Sequence, residues 1–198
     1  METNNYAELC GVLGEKPVYS HTLKNEVFYT FPLEVERLSG AVDRINIIIR
    51  RELMESLEPE EKQRILIKGE IRSYNNKSGQ GSRLVITVLA RQISFTDEED
   101  RNTVLLKGAL CKAPNLRHTP MGREICDLML AVNRQYGRSD YLPCIAWGRN
   151  ARTASELPVG TAIAVTGRIQ SRGYIKNEDG IPVEKTAYEV SAVEIDII

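Results

Sequence analysis

Three aromatic side chains, Tyr141, Trp147 and Tyr174, lie among five arginines, Arg134, Arg138, Arg149, Arg168 and Arg172. A flat ring presents a π face that another planar system can stack on, and a guanidinium presents a cation and a fork of donors to a phosphate. An unpaired nucleic-acid strand asks for both: its bases stack with little regard to sequence, and its phosphates add a salt-dependent attraction. Trp147 is the chain's only tryptophan; it ends the run DYLPCIAW and is followed at once by Gly148, Arg149 and Asn150. Along an extended strand Leu142, Cys144 and Ala146 share one side while Tyr141, Ile145 and Trp147 share the other. The pattern leaves open which side is the core. For any one of these aromatics a half-buried packing role is the plain alternative; three together among arginines favour contact with a strand.

Other chemistries find little support. Cys10, Cys111, Cys126 and Cys144 form no C-x-x-C pair, and His21 and His118 stand far apart, so no metal site or disulfide framework is expected and the thiols read as small buried side chains. No nucleophile and base are paired, and no Gly-rich phosphate loop opens a helix. Glu58, Glu60 and Glu61 read as the solvated end of a helix. We therefore expect no catalytic residues, no metal and no cofactor. His21-Thr22 and His118-Thr119 recur at equivalent places, which suggests a shared structural role.

Charge sharpens the first reading. The net charge of -1 is an average over unlike halves: residues 101 to 172 hold eleven bases against four acids, whereas residues 1 to 100 hold 13 bases against 17 acids. Such asymmetry points to one half meeting a polyanion. The 42% hydrophobic and 27% charged composition is that of a soluble globular chain. No apolar stretch approaches membrane-spanning length, and METNNYAELC lacks the features of a signal peptide, so a cytoplasmic protein is expected.

What must position these residues is a duplicated domain. At a shift of 97, Gly11 matches Gly108, Pro17 matches Pro114, His21 matches His118, Arg37 matches Arg134 and Asp43 matches Asp140; at 98, Gly69 matches Gly167; at 102, Val88 matches Val190. The changes of shift fall where loops are expected. TDEEDRN, residues 96 to 102, reads as a linker, dividing the chain into 1–97 and 98–198. Alternating apolar residues give three strands in each unit (AELCGVL, FYTFPLEV and RINIIIR; VLLKGAL, ICDLMLAV and YLPCIAW), then a helix (RELMESL, with Leu53, Met54 and Leu57 on one face; ARTASEL), then two more strands. Hairpin tips are expected at NNKSGQGS and KNEDGIP. This order predicts an all-β chain of two tandem OB-folds, five-stranded Greek-key barrels each with a short helix between strands 3 and 4.

The second unit resembles the bacterial single-stranded DNA-binding protein family through NTVLLKGAL, APNLRHTPMGREI, LAVNR, DYLPCIAWGRNA and VGTAIAVTGRIQSRGY, while Cys111 to Pro114 also looks like the related primosomal replication protein. The resemblance implies stacking aromatics at Tyr141, Trp147 and Tyr174 and basic contacts at Arg149 and Arg172. It implies sequence-independent binding of single-stranded DNA in replication, recombination or repair, with replication or repair proteins as further partners. Because the family combines four barrels, it also implies a homodimer. An OB-fold interaction module with little DNA affinity, serving a replication, plasmid or phage complex, is the alternative. Some positions depart from the pattern. Arg44, Arg50 and Asn76 stand where the second unit has Tyr141, Trp147 and Tyr174, leaving Tyr74 and Arg72 as substitutes, so the first unit reads as degenerate. The loop NRQYGRSD is short and offers Tyr136 as a partial replacement for another family aromatic. The family's acidic-tipped tail has no counterpart before Ile198, so binding without that recruiting segment is expected.

Overall fold

The computed structural model describes residues 3–76, 84–178 and 180–198. The chain divides into two compact units, residues 1–72 with 87–105, and residues 73–86 with 106–198.

The first barrel is built from β1 (Asn5–Leu13), β2 (Val18–Leu23), β3 (Glu26–Glu36), β4 (Val42–Arg50), β5 (Arg64–Asn75) and β6 (Leu84–Phe95), with α1 (Arg51–Glu55) between β4 and β5; the adjoining ends of β5 and β6, residues 73–75 and 84–86, fall within the second unit. The strands are ordered β2-β3-β4-β6-β5-β1, and β1 returns to β3 to close the barrel. β1 runs antiparallel to β3 and β5, and β3 antiparallel to β2 and β4, whereas β4 and β6 are parallel, with Ile47 and Ile48 beside Val88 and Leu89. Inward residues alternate with outward ones, so Leu9, Phe31, Leu33, Ile45, Ile47, Ile65 and Ile67 form a dry centre.

The second unit repeats this with β7 (Arg101–Leu110), β8 (Asn115–His118), β9 (Glu124–Asn133), β10 (Ser139–Trp147), α2 (Gly148–Ser155), β11 (Ala162–Glu178) and β12 (Ile181–Ile197). Its order is β7-β11-β12-β10-β9-β8, closed by β7 pairing with β9. Leu106, Leu110, Leu130, Val132, Leu142, Ile163 and Val165 fill it. Both units are thus OB-fold barrels, with the expected helix between the third and fourth long strands.

Closure explains the first pair of repeated glycines. A Cβ on Gly11 would lie 2.3 Å from the Glu34 carbonyl oxygen, and one on Gly108 would lie 2.4 Å from that of Ala131. Only a residue without a side chain lets the first strand of each barrel approach the third this closely.

The sequence pattern missed β2 and β8. These short edge strands pair with β3 and β9 by backbone hydrogen bonds while their side chains are almost all exposed, so no apolar alternation announces them. The expected tip NNKSGQGS lies largely outside the described residues, as does Asp179 of KNEDGIP. The segment after β6 is fastened to the first unit. Arg64 donates to the Glu98 carbonyl (2.7 Å) and to Asp100 (2.5 Å), and Arg101 pairs with Glu98 and Glu8.

A buried ion pair recurs in both barrels. Arg37 Nε donates to Asp43 Oδ2 at 2.7 Å and Arg134 Nε to Asp140 Oδ2 at 2.7 Å, each with a second guanidinium contact. Both aspartates are fully buried. In the second unit Asp140 also accepts from the Ser73 backbone N–H (2.6 Å), and the Ser73 hydroxyl accepts from the Tyr141 N–H (2.8 Å).

Candidate nucleic-acid interface

The candidate interface centres on β10. Leu142, Cys144 and Ala146 are buried, so this is the core side, and Tyr141 and Trp147 point away from the core at 52% and 37% exposure. Burial in this apolar interior pushes the Cys144 thiol up to about 12, making it an inert packing group. Ile145 shares the outer side but is itself buried, as is Ile125, which lies opposite Trp147 on β9. The outer face therefore has an apolar floor beneath its aromatic rim.

Gly148 places the next cation. Its φ of +55° lets the chain leave the strand and enter α2 without a linking loop. Trp147 is thereby the last strand residue and Arg149 the second helical one, exposed and with no ion pair among the described residues. The indole ring is anchored: Trp147 Nε1–H donates to Ser191 Oγ on β12 at 3.1 Å. Ser191 lies beside Ile145 on one flank and opposite Arg168 of β11 on the other. One row across three strands thus runs Ile145, Ser191, Arg168, and Trp147, two residues on along β10, is joined to it by its bond to Ser191. The Nε of Arg168 is buried without a hydrogen-bond partner.

The other predicted residues distribute unevenly. Arg172 is exposed on β11, 3.8 Å from Glu189, which accepts from Gln170 at 2.7 Å. Tyr174 is half-buried, opposite Lys185 where β11 and β12 continue as a two-stranded arm. Arg138 is exposed beside a single 3-10 turn, Gln135–Gly137. Arg134 is committed to Asp140 and to the Ser73 carbonyl (2.9 Å), which makes it part of the scaffold that holds the start of β10. The side chain of Tyr136 lies outside the described residues.

Sequence reasoning missed Arg117, Lys176 and Lys185. Arg117 on β8 grips Asp127 at 2.5 and 2.9 Å, neutralising a carboxylate next to Ile145 on the outer face. On the arm, Lys185 and Lys176 converge on Glu178 and hold its carboxyl below the usual carboxylate range. Alternation along β11 would have placed Lys176 with Arg172 and Tyr174; Lys185 is found only through strand register.

Among the described residues no group of His, Cys, Asp or Glu could hold a metal ion, and no helix is long and apolar enough to cross a membrane.

The profile of the Single-strand binding protein family matches residues 101–198. Single-stranded DNA-binding protein B of Bacillus subtilis is 39% identical over 92 residues, which cover 43% of this chain and 80% of that protein. Single-stranded DNA-binding protein A of the same organism is 36% identical over 100 residues, covering 47% of this chain and 58% of that protein. The chain thus spans only part of the length of these relatives. The wild-type single-stranded DNA binding protein from Thermus aquaticus superposes with a TM-score of 0.79 at 23% identity, over 98% of this chain and 92% of that one, a likeness of fold across both barrels. With the second barrel matched to the family and its outer face carrying exposed aromatics beside arginines, the chain belongs to the single-strand binding protein family.

Proposed function

We propose that the second unit binds single-stranded DNA without sequence preference, by stacking bases on Tyr141, Trp147 and Tyr174 and by placing phosphates against Arg149, Arg172, Arg168 and Arg138. The observation that carries this reading is the pairing at the end of β10: a partly exposed, hydrogen-bonded indole followed two residues later by an exposed arginine. Each stacked base is worth roughly 1 to 3 kcal/mol, and each phosphate contact adds a salt-dependent increment. The relatives' names as single-stranded DNA-binding proteins support the same reading. Binding here is not catalysis, and it requires neither metal nor cofactor. The setting we propose is the cytoplasm, in replication, recombination or repair alongside other proteins of those processes, with two chains forming a homodimer of four barrels.

The test is a titration with oligo-dT at two salt concentrations, following Trp147. Because it is the only tryptophan, the signal has one source. Quenching that weakens with salt is expected. An unchanged spectrum together with no retention of the oligonucleotide would overturn the reading in favour of a protein-interaction module. Sedimentation of a monomer at micromolar concentration would overturn the dimer.

A further inference from the structure

Two carboxylates stand on the outer side of the second barrel, and they are held differently. Asp127, opposite Ile145, is closed off by the Arg117 fork, which bonds to both of its oxygens. Glu189 on β12 is held by an amide instead. Gln170 Nε2 donates to its Oε1 at 2.7 Å, while the Arg172 guanidinium stays 3.8 Å away, beyond hydrogen-bond length. The Glu189 side chain is only 12% exposed and Gln170 is buried, so the pair is set into the sheet. Glu189 and Gln170 lie opposite each other on β12 and β11, and the next pair on this side is Ser191 with Arg168. Ser191 accepts from the Trp147 indole, which puts Glu189 two strand residues, about 7 Å, from the anchor of that ring. The repeat does not account for the pair: at shifts of 102 and 98 the first barrel has Thr87 and Arg72 in these places.

A carboxylate is acceptor-only, and on a surface that meets a polyanion it repels phosphate. Its complement on a nucleic acid is the set of donors along the edge of an unpaired base. The four bases differ there. Thymine has one N–H between two carbonyl oxygens, which a carboxylate repels. Adenine and cytosine each set one amino group beside an acceptor ring nitrogen. Guanine alone offers two adjacent donors, N1–H and the N2 amino group, with O6 as an acceptor next to them. A carboxylate accepts both donors side by side. Gln170 has two amide hydrogens, of which one goes to Glu189 and the second complements O6.

We propose, resting on the single-strand reading above, that Glu189 with Gln170 reads guanine. The second barrel then has a one-nucleotide preference within a surface whose stacking and phosphate contacts accept any base. The bases that fail contribute to the preference as much as the one that fits. A largely buried carboxylate facing a base without adjacent donors is desolvated and left unsatisfied.

The test uses short oligo-dT strands with the central nucleotide replaced by dG, by deoxyinosine or by dC, titrated against the full chain with Trp147 as the signal. Deoxyinosine keeps N1–H and O6 and lacks only the N2 amino group, so it isolates one of the two donors. A hydrogen bond to a charged group changes affinity about tenfold, so the dG strand should bind about tenfold more tightly than the deoxyinosine strand. Strands with dC or all dT should bind no better than the deoxyinosine strand. In Glu189→Gln the dG and deoxyinosine strands should bind alike, with affinity for all-dT kept or raised because a negative charge leaves the face. Glu189→Thr should do the same with a side chain that suits a strand. Equal binding of the dG and deoxyinosine strands by the unsubstituted chain would overturn the guanine reading and leave single-strand binding standing. That comparison needs no substitution, so it decides even where a variant fails to fold. A preference for dG that survives in both variants would also overturn it. No binding of any strand by the unsubstituted chain would overturn the single-strand reading and this one with it.

Discussion

Trp147 donates its indole N–H to the hydroxyl of Ser191 at 3.1 Å, tying the rim of β10 to the neighbouring strand β12. The bond satisfies the one polar atom of the ring and sets its orientation, so the exposed face is presented in one pose. Ser191→Ala is expected to leave the barrel folded but loosen the ring. One such hydrogen bond is worth about 1 kcal/mol, so affinity for oligo-dT should fall about fivefold. A fluorescence titration with unchanged affinity would show that the pose does not matter.

Tyr141 stands on the same outer side of β10 with its backbone held by Ser73. Tyr141→Ala should weaken binding of a short oligo-dT by about 1 to 3 kcal/mol, the usual worth of one stacked base. Tyr141→Phe keeps the ring and should stay close to the parent. If both variants bind alike, Tyr141 contributes through its hydroxyl or not at all.

Arg149 and Arg134 were grouped together by sequence, and the structure separates them. Arg149 is exposed at the start of α2, whereas Arg134 is bound to buried Asp140. Arg149→Gln is expected to lower the salt slope of binding by about 0.7, the value for one single-strand phosphate. Arg134→Ala instead strands a buried carboxylate and should cost about 3 kcal/mol of unfolding free energy, as broken buried pairs do. Urea denaturation of the two variants distinguishes these roles.

Cys144 titrates against the fold. Its folded-state value is raised to about 12 by burial, while in the unfolded chain it returns to that of an ordinary thiol, near 9. Below that ordinary value the thiol is protonated in both states, and the core keeps its full contribution. As pH rises from about 9 towards 12 the unfolded chain releases its proton first, so stability falls. Cys144→Ala should flatten this alkaline loss in thermal melts between pH 9 and 11. Iodoacetamide at pH 8 should leave Cys144 of the native protein unlabelled.

Much of the architecture is legible in residue order, because burial imposes a period of two on each long strand and duplication writes the pattern twice. The match of Gly11 with Gly108 marks where each barrel closes, and the match of Arg37 and Asp43 with Arg134 and Asp140 marks a repeated ion pair. The same logic assigned Arg134 to the binding set, since sequence shows a charge but not its partner. Edge strands β2 and β8 escaped because their bonds are made by backbone and their side chains face solvent.

By itself, then, the sequence determined two barrels of one kind, with residues 101 to 172 of the second holding eleven bases against four acids. Strand alternation and repetition are local properties that survive without coordinates. Only the tertiary structure decided which side of β10 is the core, that Trp147 bonds to Ser191 opposite Arg168, and that His21 lies on Phe28 while His118 meets Glu124. Those outcomes depend on register between strands distant in sequence, where a displacement of one residue exchanges every neighbour.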